Sequence, residues 1–424
     1  MSAPFDVRSA DVLIIGAGPA GLSAATHLKR LGVGNVMVVE REPIAGGIPR
    51  HCGHPPFGMR EFGLVLTGPA YARRLVDRAV KAGVELQLKC SVVSIDYADD
   101  LIVTCASNRG PLTIVAKRVI VATGVRERPR SARLISGERP LGILNTGALQ
   151  EYVYLQHLVP FRRPVIVGTE LVSLSSLLTC RKIGAKPVAM IESRDRPTVR
   201  RVSMALPRLL GVPVRYGTRI ADIKGRPRVE AVTLRLPDGS LEDVACDGVV
   251  FTGSFRPESA LARSAGLEID GGTGGPVIDQ FARTSEPRIF AAGNVLHPVE
   301  TAGWSWREGR RVGAFVAQDL DGKLSKPEHA IKLTPGTGIR YVVPQRLVPG
   351  GGGFDHLQLR AACEVSGVLV AHSRGRAIRQ QPLTSGPERR ILAPLAAFSE
   401  ADADVIIGVD DRPSTTIRSG SACV

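Results

Sequence analysis

The sequence predicts an α/β chain: two copies of a strand–helix–strand unit, each closed by a later strand, then a small β-rich segment. Three observations predict it. An apolar strand runs into a glycine-containing turn twice, at Asp11–Gly21 and at Pro164–Ser173. Gly16 to Glu40 and Gly168 to Glu192 each span 24 residues. Beyond Lys323 the repeat stops, and short β-like runs alternate with turn residues. Repetition of a βαβ unit argues for two Rossmann-like domains of three-layer ββα form, with a small β-rich C-terminal domain. The expected boundaries are 8–125 with 245–325 for a discontinuous first domain, 126–244 for the second and 331–424 for the appendage.

The first copy begins Asp11-Val-Leu-Ile-Ile-Gly16-Ala-Gly18-Pro19-Ala20-Gly21. A helix is expected over Leu22 to Leu31, then a strand Val36-Met-Val-Val-Glu40. The second copy has its strand at Pro164-Val-Ile-Val, a helix over about Leu171 to Ile183, and a strand ending at Glu192. Third strands follow at Gly83-Val-Glu-Leu-Gln-Leu and Gly211-Val-Pro-Val-Arg-Tyr. Closing strands are Arg118-Val-Ile-Val-Ala-Thr-Gly124 and Asp247-Gly-Val-Val-Phe-Thr-Gly253. The first copy carries 24 extra residues between its acid and its third strand, around Gly46–Gly58. A last helix is expected from about Gly303 to Leu320. In the appendage, Arg340-Tyr-Val-Val, His356–Arg360 and Val368-Leu-Val-Ala read as strands.

The two glycine turns differ in what they can hold. In the first, Gly16 permits the tight turn and Gly18 lets backbone approach a pyrophosphate. Gly21 lets the helix pack close, so its N-terminal N–H groups face the phosphates. Glu40 is placed to accept hydrogen bonds from ribose hydroxyls. With strand, helix and acid all in place, the fingerprint is specific. In the second copy Glu170 stands where the middle glycine belongs. A carboxylate there sets negative charge against a dinucleotide, so NAD(P) binding in this domain is doubtful.

Net charge is +15, carried by 45 Arg and 10 Lys. No dense basic tract or nucleic-acid module accompanies it, so no nucleic-acid partner is expected. An anionic cofactor, an acidic partner subunit or an anionic membrane surface would satisfy the charge equally well. The seven cysteines are scattered, with no C-x-x-C pair and no iron–sulfur or zinc framework. His51, Cys52 and His54 lie too close together to converge on a metal without a further partner, so no metal is expected. The chain start shows no signal-peptide pattern, and no apolar run approaches the roughly 20 residues of a membrane span. A cytoplasmic location with peripheral membrane contact at most is the expectation.

Ala122-Thr123-Gly124 and the late Pro287-Arg-Ile-Phe-Ala-Ala-Gly293-Asn294 carry a resemblance. Over about residues 8 to 322 the chain resembles the two-dinucleotide-domain flavoproteins related to disulfide reductases. The resemblance implies FAD. Its ADP part would lie at Gly16, Gly18, Pro19, Ala20, Gly21, Glu40 and Arg41, with Gly47, Thr123 and Gly124 beside it. Gly293 and Asn294 would hold the ribityl chain, with Thr301 and Ala302 at the start of a helix aimed at the flavin. Asn294 stands where the family usually has Asp, and Asn still offers hydrogen bonds. Gly46-Gly-Ile-Pro-Arg-His-Cys-Gly-His and Gly168-Thr-Glu-Leu-Val-Ser narrow the resemblance. Both look like FAD subunits of multi-component hydroxyproline and opine dehydrogenases, hydrogen cyanide synthase, and anaerobic glycerol-3-phosphate dehydrogenase-type systems.

The resemblance implies an FAD-dependent oxidoreductase subunit. It would dehydrogenate an amino acid, amine or polyol phosphate beside partner subunits that carry a second flavin or an iron–sulfur cluster. Two alternatives stand: a non-catalytic FAD-binding electron relay or scaffold, and a stand-alone NAD(P)H-dependent flavin reductase. Disulfide reductase activity needs two neighbouring thiols, and the spacing offers none. The candidate catalytic groups are His51, in a loop expected to cover the flavin with Arg50, and His297. Glu300 and Trp304 are candidate lining residues, and Arg126–Arg130 reads as an interdomain hinge.

Overall fold

The computed structural model describes residues 6–398 and 401–410. The chain divides into two compact units. Of the described residues, one comprises those up to Gly47, Ala72–Val125 and those from Arg256 on; the other comprises Ile48–Tyr71 and Arg126–Phe255.

The first unit is built on strand β1 (Asp6–Ile15), helix α1 (Pro19–Arg30) and strand β2 (Val36–Glu40). Then come β3 (Glu85–Leu88), β4 (Cys90–Asp96), β5 (Leu101–Ser107) and β6 (Gly110–Val121). The sheet order is β3-β2-β1-β6-β5-β4. β1 runs parallel to β2 and β6, with Ile15 opposite both Val39 and Val121. Val12 to Ile14 and Val36 to Val39 are almost wholly buried, as expected for parallel strands covered on both faces. β4, β5 and β6 form an antiparallel meander off that sheet.

The second unit repeats the plan with β7 (Pro164–Val167), α2 (Leu171–Lys182), β8 (Ala189–Ile191) and β9 (Gly248–Phe251). β9 pairs parallel with β7. Residues 245–255 therefore belong here, not to the first domain as the expected boundary at 245 had it. The excursion 48–71, expected within the first domain, also groups with this unit. Side chains explain that. His54 Nε2 meets Ser175 Oγ of α2 at 2.9 Å, and Cys52 Sγ lies 3.5 Å from Gln150 Oε1. Within the excursion, Phe57 and Phe62 each meet the Tyr71 ring, and Tyr71 donates to Glu61 at 2.8 Å.

The chain then returns to the first sheet. Strand β10 (Ile289–Ala291) pairs parallel with β6, and helix α3 (Ala302–Leu320) follows. α3 lies against α1 through small residues. A Cβ at Gly309 would meet Ala20 O at 2.1 Å, and one at Gly313 would meet Ala24 O at 2.9 Å. Only glycine allows that approach.

From Ile331 the chain is β-rich, and it groups with the first unit. The expected strands appear as Ile339–Val343, His356–Ala361 and Val365–Ser373. Leu333, Leu357, Leu359, Leu369, Val405 and Ile407 form its core. Two glutamines fasten it. Gln345 Oε1 accepts from Ile278 N at 3.0 Å, and Gln280 exchanges hydrogen bonds with the backbone of Val348.

Candidate functional site

The first glycine turn is an open cradle. Gly16 has φ +108°, and a Cβ there would lie 2.6 Å from Ala122 O. A Cβ at Gly21 would lie 2.0 Å from Gly16 O, so strand and helix meet at bare backbone. Gly18 differs: a Cβ there would meet nothing within 4 Å. Gly18 is the N-cap of α1, and no side chain caps the helix. Pro19, Ala20 and Gly21 form the first turn. Uncapped N–H groups facing open space are what a phosphate needs.

Glu40 closes β2. Its Oε2 accepts from Ala17 N at 2.9 Å and its Oε1 from Glu42 N at 3.0 Å, which fixes the carboxylate beside the turn. Arg41 follows, exposed and 3.7 Å from Glu42. Gly47 has φ +62° and lies so close that a Cβ would be 2.8 Å from Gly18 Cα. Thr123 donates to Glu258 O at 2.7 Å, and Gly124 has φ +75° with nothing near its would-be Cβ. These residues fit an extended dinucleotide such as FAD.

At the end of β10 a second set gathers. Gly293 has φ +81°, and its N–H donates to Glu308 Oε2 at 2.7 Å. Asn294 donates to Glu300 O at 3.2 Å and accepts from Ser305 Oγ at 3.2 Å, leaving one N–H and one lone pair. Thr301 is the exposed N-cap of α3 and makes no side-chain cap, and Ala302 starts the helix. His297 is 2% exposed and meets Glu308 Oε1 at 2.9 Å through Nε2. Its Nδ1 has no partner among the described residues. Glu300 is held by Arg360 and by Arg390, whose guanidinium sits 3.6 Å over the Trp304 ring. Sequence reasoning missed Glu308, the joint between Gly293 and His297. Its signal was an acid immediately before Gly309 on α3.

The second glycine turn is filled. Glu170 is the N-cap of α2 but makes no side-chain cap. Its carboxyl turns inward. A Cβ at Gly168 would lie 2.2 Å from Glu170 Oε2, and one at Gly253 2.7 Å from Glu170 Cδ. Burial pushes the Glu170 pKa up, against the Thr252 hydrogen bond that lowers it. Thr252 Oγ1 lies 2.8 Å from Val167 O and 2.7 Å from Glu170 Oε2. To the expected charge repulsion the structure adds occupied space, because the carboxyl fills the room in front of Gly168 and Gly253. Glu192, the counterpart of Glu40, is 5% exposed and engaged by Thr169, Thr198 and the backbone of Arg194.

Nearby in this unit, Glu127 accepts from Gly147 N at 2.8 Å and Gly253 N at 3.1 Å. Burial outweighs these bonds and pushes its pKa up to about 7. The run at 126–130, read as a hinge, therefore contains a built acid. His51 is half-buried at the end of the short 3-10 helix Ile48–His51 in the second unit. His297 is in the first. One thiol expectation needs correction. Cys90 and Cys105, 15 residues apart, hydrogen-bond across β4 and β5, which lowers the Cys90 pKa and raises that of Cys105. They are 2% and 1% exposed, sealed inside the sheet. Among the described residues no group of three His, Cys, Asp or Glu is placed to hold a metal, and no helix is long and apolar enough to cross a membrane.

Comparison with known proteins identifies this architecture. The pyridine nucleotide-disulphide oxidoreductase family matches residues 10–310. The chain belongs to that family. As a family member it is a nucleotide-binding flavoprotein of the oxidoreductase class, with FAD as cofactor. It is 27% identical over 322 residues to the ferredoxin reductase component of chlorobenzene dioxygenase from Cupriavidus sp., covering 71% of this chain and 69% of that one. It is 26% identical over 368 residues to the alpha subunit of sarcosine oxidase from Rhizobium meliloti, covering 80% of this chain but 33% of that one. An opine oxidase subunit from Agrobacterium tumefaciens is 24% identical over 316 residues, with 67% and 61% covered. The chain therefore spans only part of these two oxidase subunits. Thioredoxin reductase of T. acidophilum shares the fold at TM-score 0.63 and 23% identity, covering 74% of this chain and 99% of that one.

Proposed function

We propose that this chain is the FAD-binding subunit of a multi-component dehydrogenase. It would draw electrons from a C–H bond next to an amine or hydroxyl and deliver them through a partner protein. One observation carries the reading: the first cradle is open at Gly18, whereas the second is filled by Glu170. A stand-alone NAD(P)H-dependent reductase needs the second cradle. Relatives named as subunits or components of larger systems support a partner. That partner would carry a second flavin or an iron–sulfur cluster, which these scattered cysteines do not supply.

The pyrophosphate would rest on Gly16, Gly18 and the first turn of α1, and Glu40 would hold ribose hydroxyls. Arg41, Gly47, Thr123 and Gly124 would flank the adenosine half. Gly293, Asn294, Thr301 and Ala302 would serve the flavin half. FAD, when bound, supplies the capacity to accept an electron pair. The remaining work falls to side chains. His297 meets Glu308 Oε1 through Nε2 at 2.9 Å, and in the tautomer that donates to Glu308 its Nδ1 would be the acceptor for a substrate proton. His51 is the second candidate base.

The test is expression in the native host, co-purification, and a dye-linked assay with amino acids and polyol phosphates. The reading expects turnover in the complex and little in the isolated chain. An isolated chain turning over such a substrate at ordinary rates, roughly 1–1000 per second, would contradict it.

A further inference from the structure

A cavity of about 430 Å³ lies along the flank of α3, against the β-rich segment of the same unit. That volume is in the range of small-molecule sites, roughly 300–1,000 Å³. Phe354, Leu392 and Ala314 give it an apolar wall. His297, Arg307 and Arg310 also line it.

The charges around it do not cancel. Each acid on the wall is already engaged. Glu300 is held by Arg360 and Arg390, Glu308 by Gly293 N, His297 and Gln358, and Asp355 by Arg311. Arg307 rests over the Trp304 ring, and neither it nor Arg310 meets a carboxylate among the described residues. His27, also on the wall, is held below the usual imidazole range by burial and then by Arg310 and Arg30. Two exposed guanidiniums thus face one apolar hollow, beside a buried imidazole whose Nδ1 lacks a partner.

We propose that this cavity binds a small amphiphilic anion: a carboxylate or phosphate monoester on an apolar body. The head would bridge Arg307 and Arg310, and the body would cover Phe354 and Leu392. Arginine suits both head groups because its planar fork matches their oxygens. His297, Glu300, Trp304 and Glu308 on its wall belong to the set gathered at the end of β10, but binding of the anion does not depend on the proposed redox role.

The sequence supplies its own probe. The chain has two tryptophans, Trp304 and Trp306. Trp304 lines the cavity, whereas Trp306 lines a separate small hollow with Leu22 and Leu75. In the full-length Trp306→Phe protein, Trp304 fluorescence is followed at low ionic strength during titration with benzoate, phenyl phosphate and neutral benzyl alcohol. A saturable change with at least one anion is expected, and the tighter of the two identifies the head group. Benzyl alcohol should bind at least about tenfold more weakly. Adding Arg307→Gln and Arg310→Gln should weaken the anion by about tenfold or more at unchanged melting temperature, since both side chains are exposed. The proposal is overturned by no saturable change up to roughly 10 mM of either anion, a scale for negligible affinity. Equal binding of benzyl alcohol, or undiminished affinity in the double variant, also overturns it.

Discussion

Replacing Glu170 with glycine should open the second cradle. The Glu170 carboxyl occupies the space before Gly168 and Gly253, at 2.2 and 2.7 Å from their would-be Cβ atoms. Its removal opens space before the uncapped N-terminus of α2, where a phosphate gains roughly 0.5–2 kcal/mol. NADH affinity should therefore rise by about 2- to 30-fold. The gain has a ceiling, because Glu192 stays engaged with Thr169 and Thr198 and cannot serve a ribose. Loss of the Thr252 hydrogen bond should cost about 1 kcal/mol of stability. Calorimetric titration of wild type, Glu170→Gly and Glu170→Gln with NADH separates volume from charge. If occupied space excludes the dinucleotide, Glu170→Gln binds as poorly as wild type. A micromolar wild-type dissociation constant, or no gain in Glu170→Gly, would refute the reasoning.

Three further outcomes are expected. Gly18→Val should fold with the melting temperature of the FAD-free wild type yet fail to take up FAD, since a side chain there meets only open space in the protein itself; absorbance and thermal melts check both halves. Gly309→Val should destabilise the chain by about 1–3 kcal/mol or more, because its Cβ would press on Ala20 O at 2.1 Å; denaturant unfolding measures it. Glu127 sets a pH dependence. Its folded pKa of about 7 exceeds the ordinary 4.5, so the folded state holds the extra proton between those values. Stability from this group is unimpaired below 4.5, falls as pH rises toward 7, and stays reduced above. Glu127→Gln should flatten that fall, read as the difference in melting temperature across the window. Parallel curves would count against the buried acid.

The fingerprint and two of the helices were legible because they rest on local spacing, but α1 starts at Pro19, three residues before the expected Leu22, because the glycine turn itself forms its first turn. The glycines at 16, 18 and 21, the acid at 40 and the apolar strands between them lie within one βαβ unit. Glu170 was equally visible, but only as a charge; that it folds back onto Thr252, 82 residues away, is a tertiary fact. The same reason hid the grouping of 48–71 with the second unit, which depends on His54 meeting Ser175 across 121 residues. Cys90 and Cys105 lacked C-x-x-C spacing, yet strand pairing brings them together. The small-residue pair Gly309 and Gly313 was a readable signal that went unused. Residues 331–424 showed their strands by turn chemistry, but not their attachment, which runs through Gln280 and Gln345. Residues beyond Asp410 lie outside those described.

The central claim is that electrons do not enter this flavoprotein from NAD(P)H bound in its own second domain. Anaerobic titration of the purified, FAD-loaded chain with NADH and with NADPH, followed at the flavin absorbance band, tests it most directly. The account predicts a yellow protein with about one FAD per chain, expected from a single intact fingerprint, and no bleaching by either nucleotide. Prompt bleaching by NADH or NADPH would contradict it.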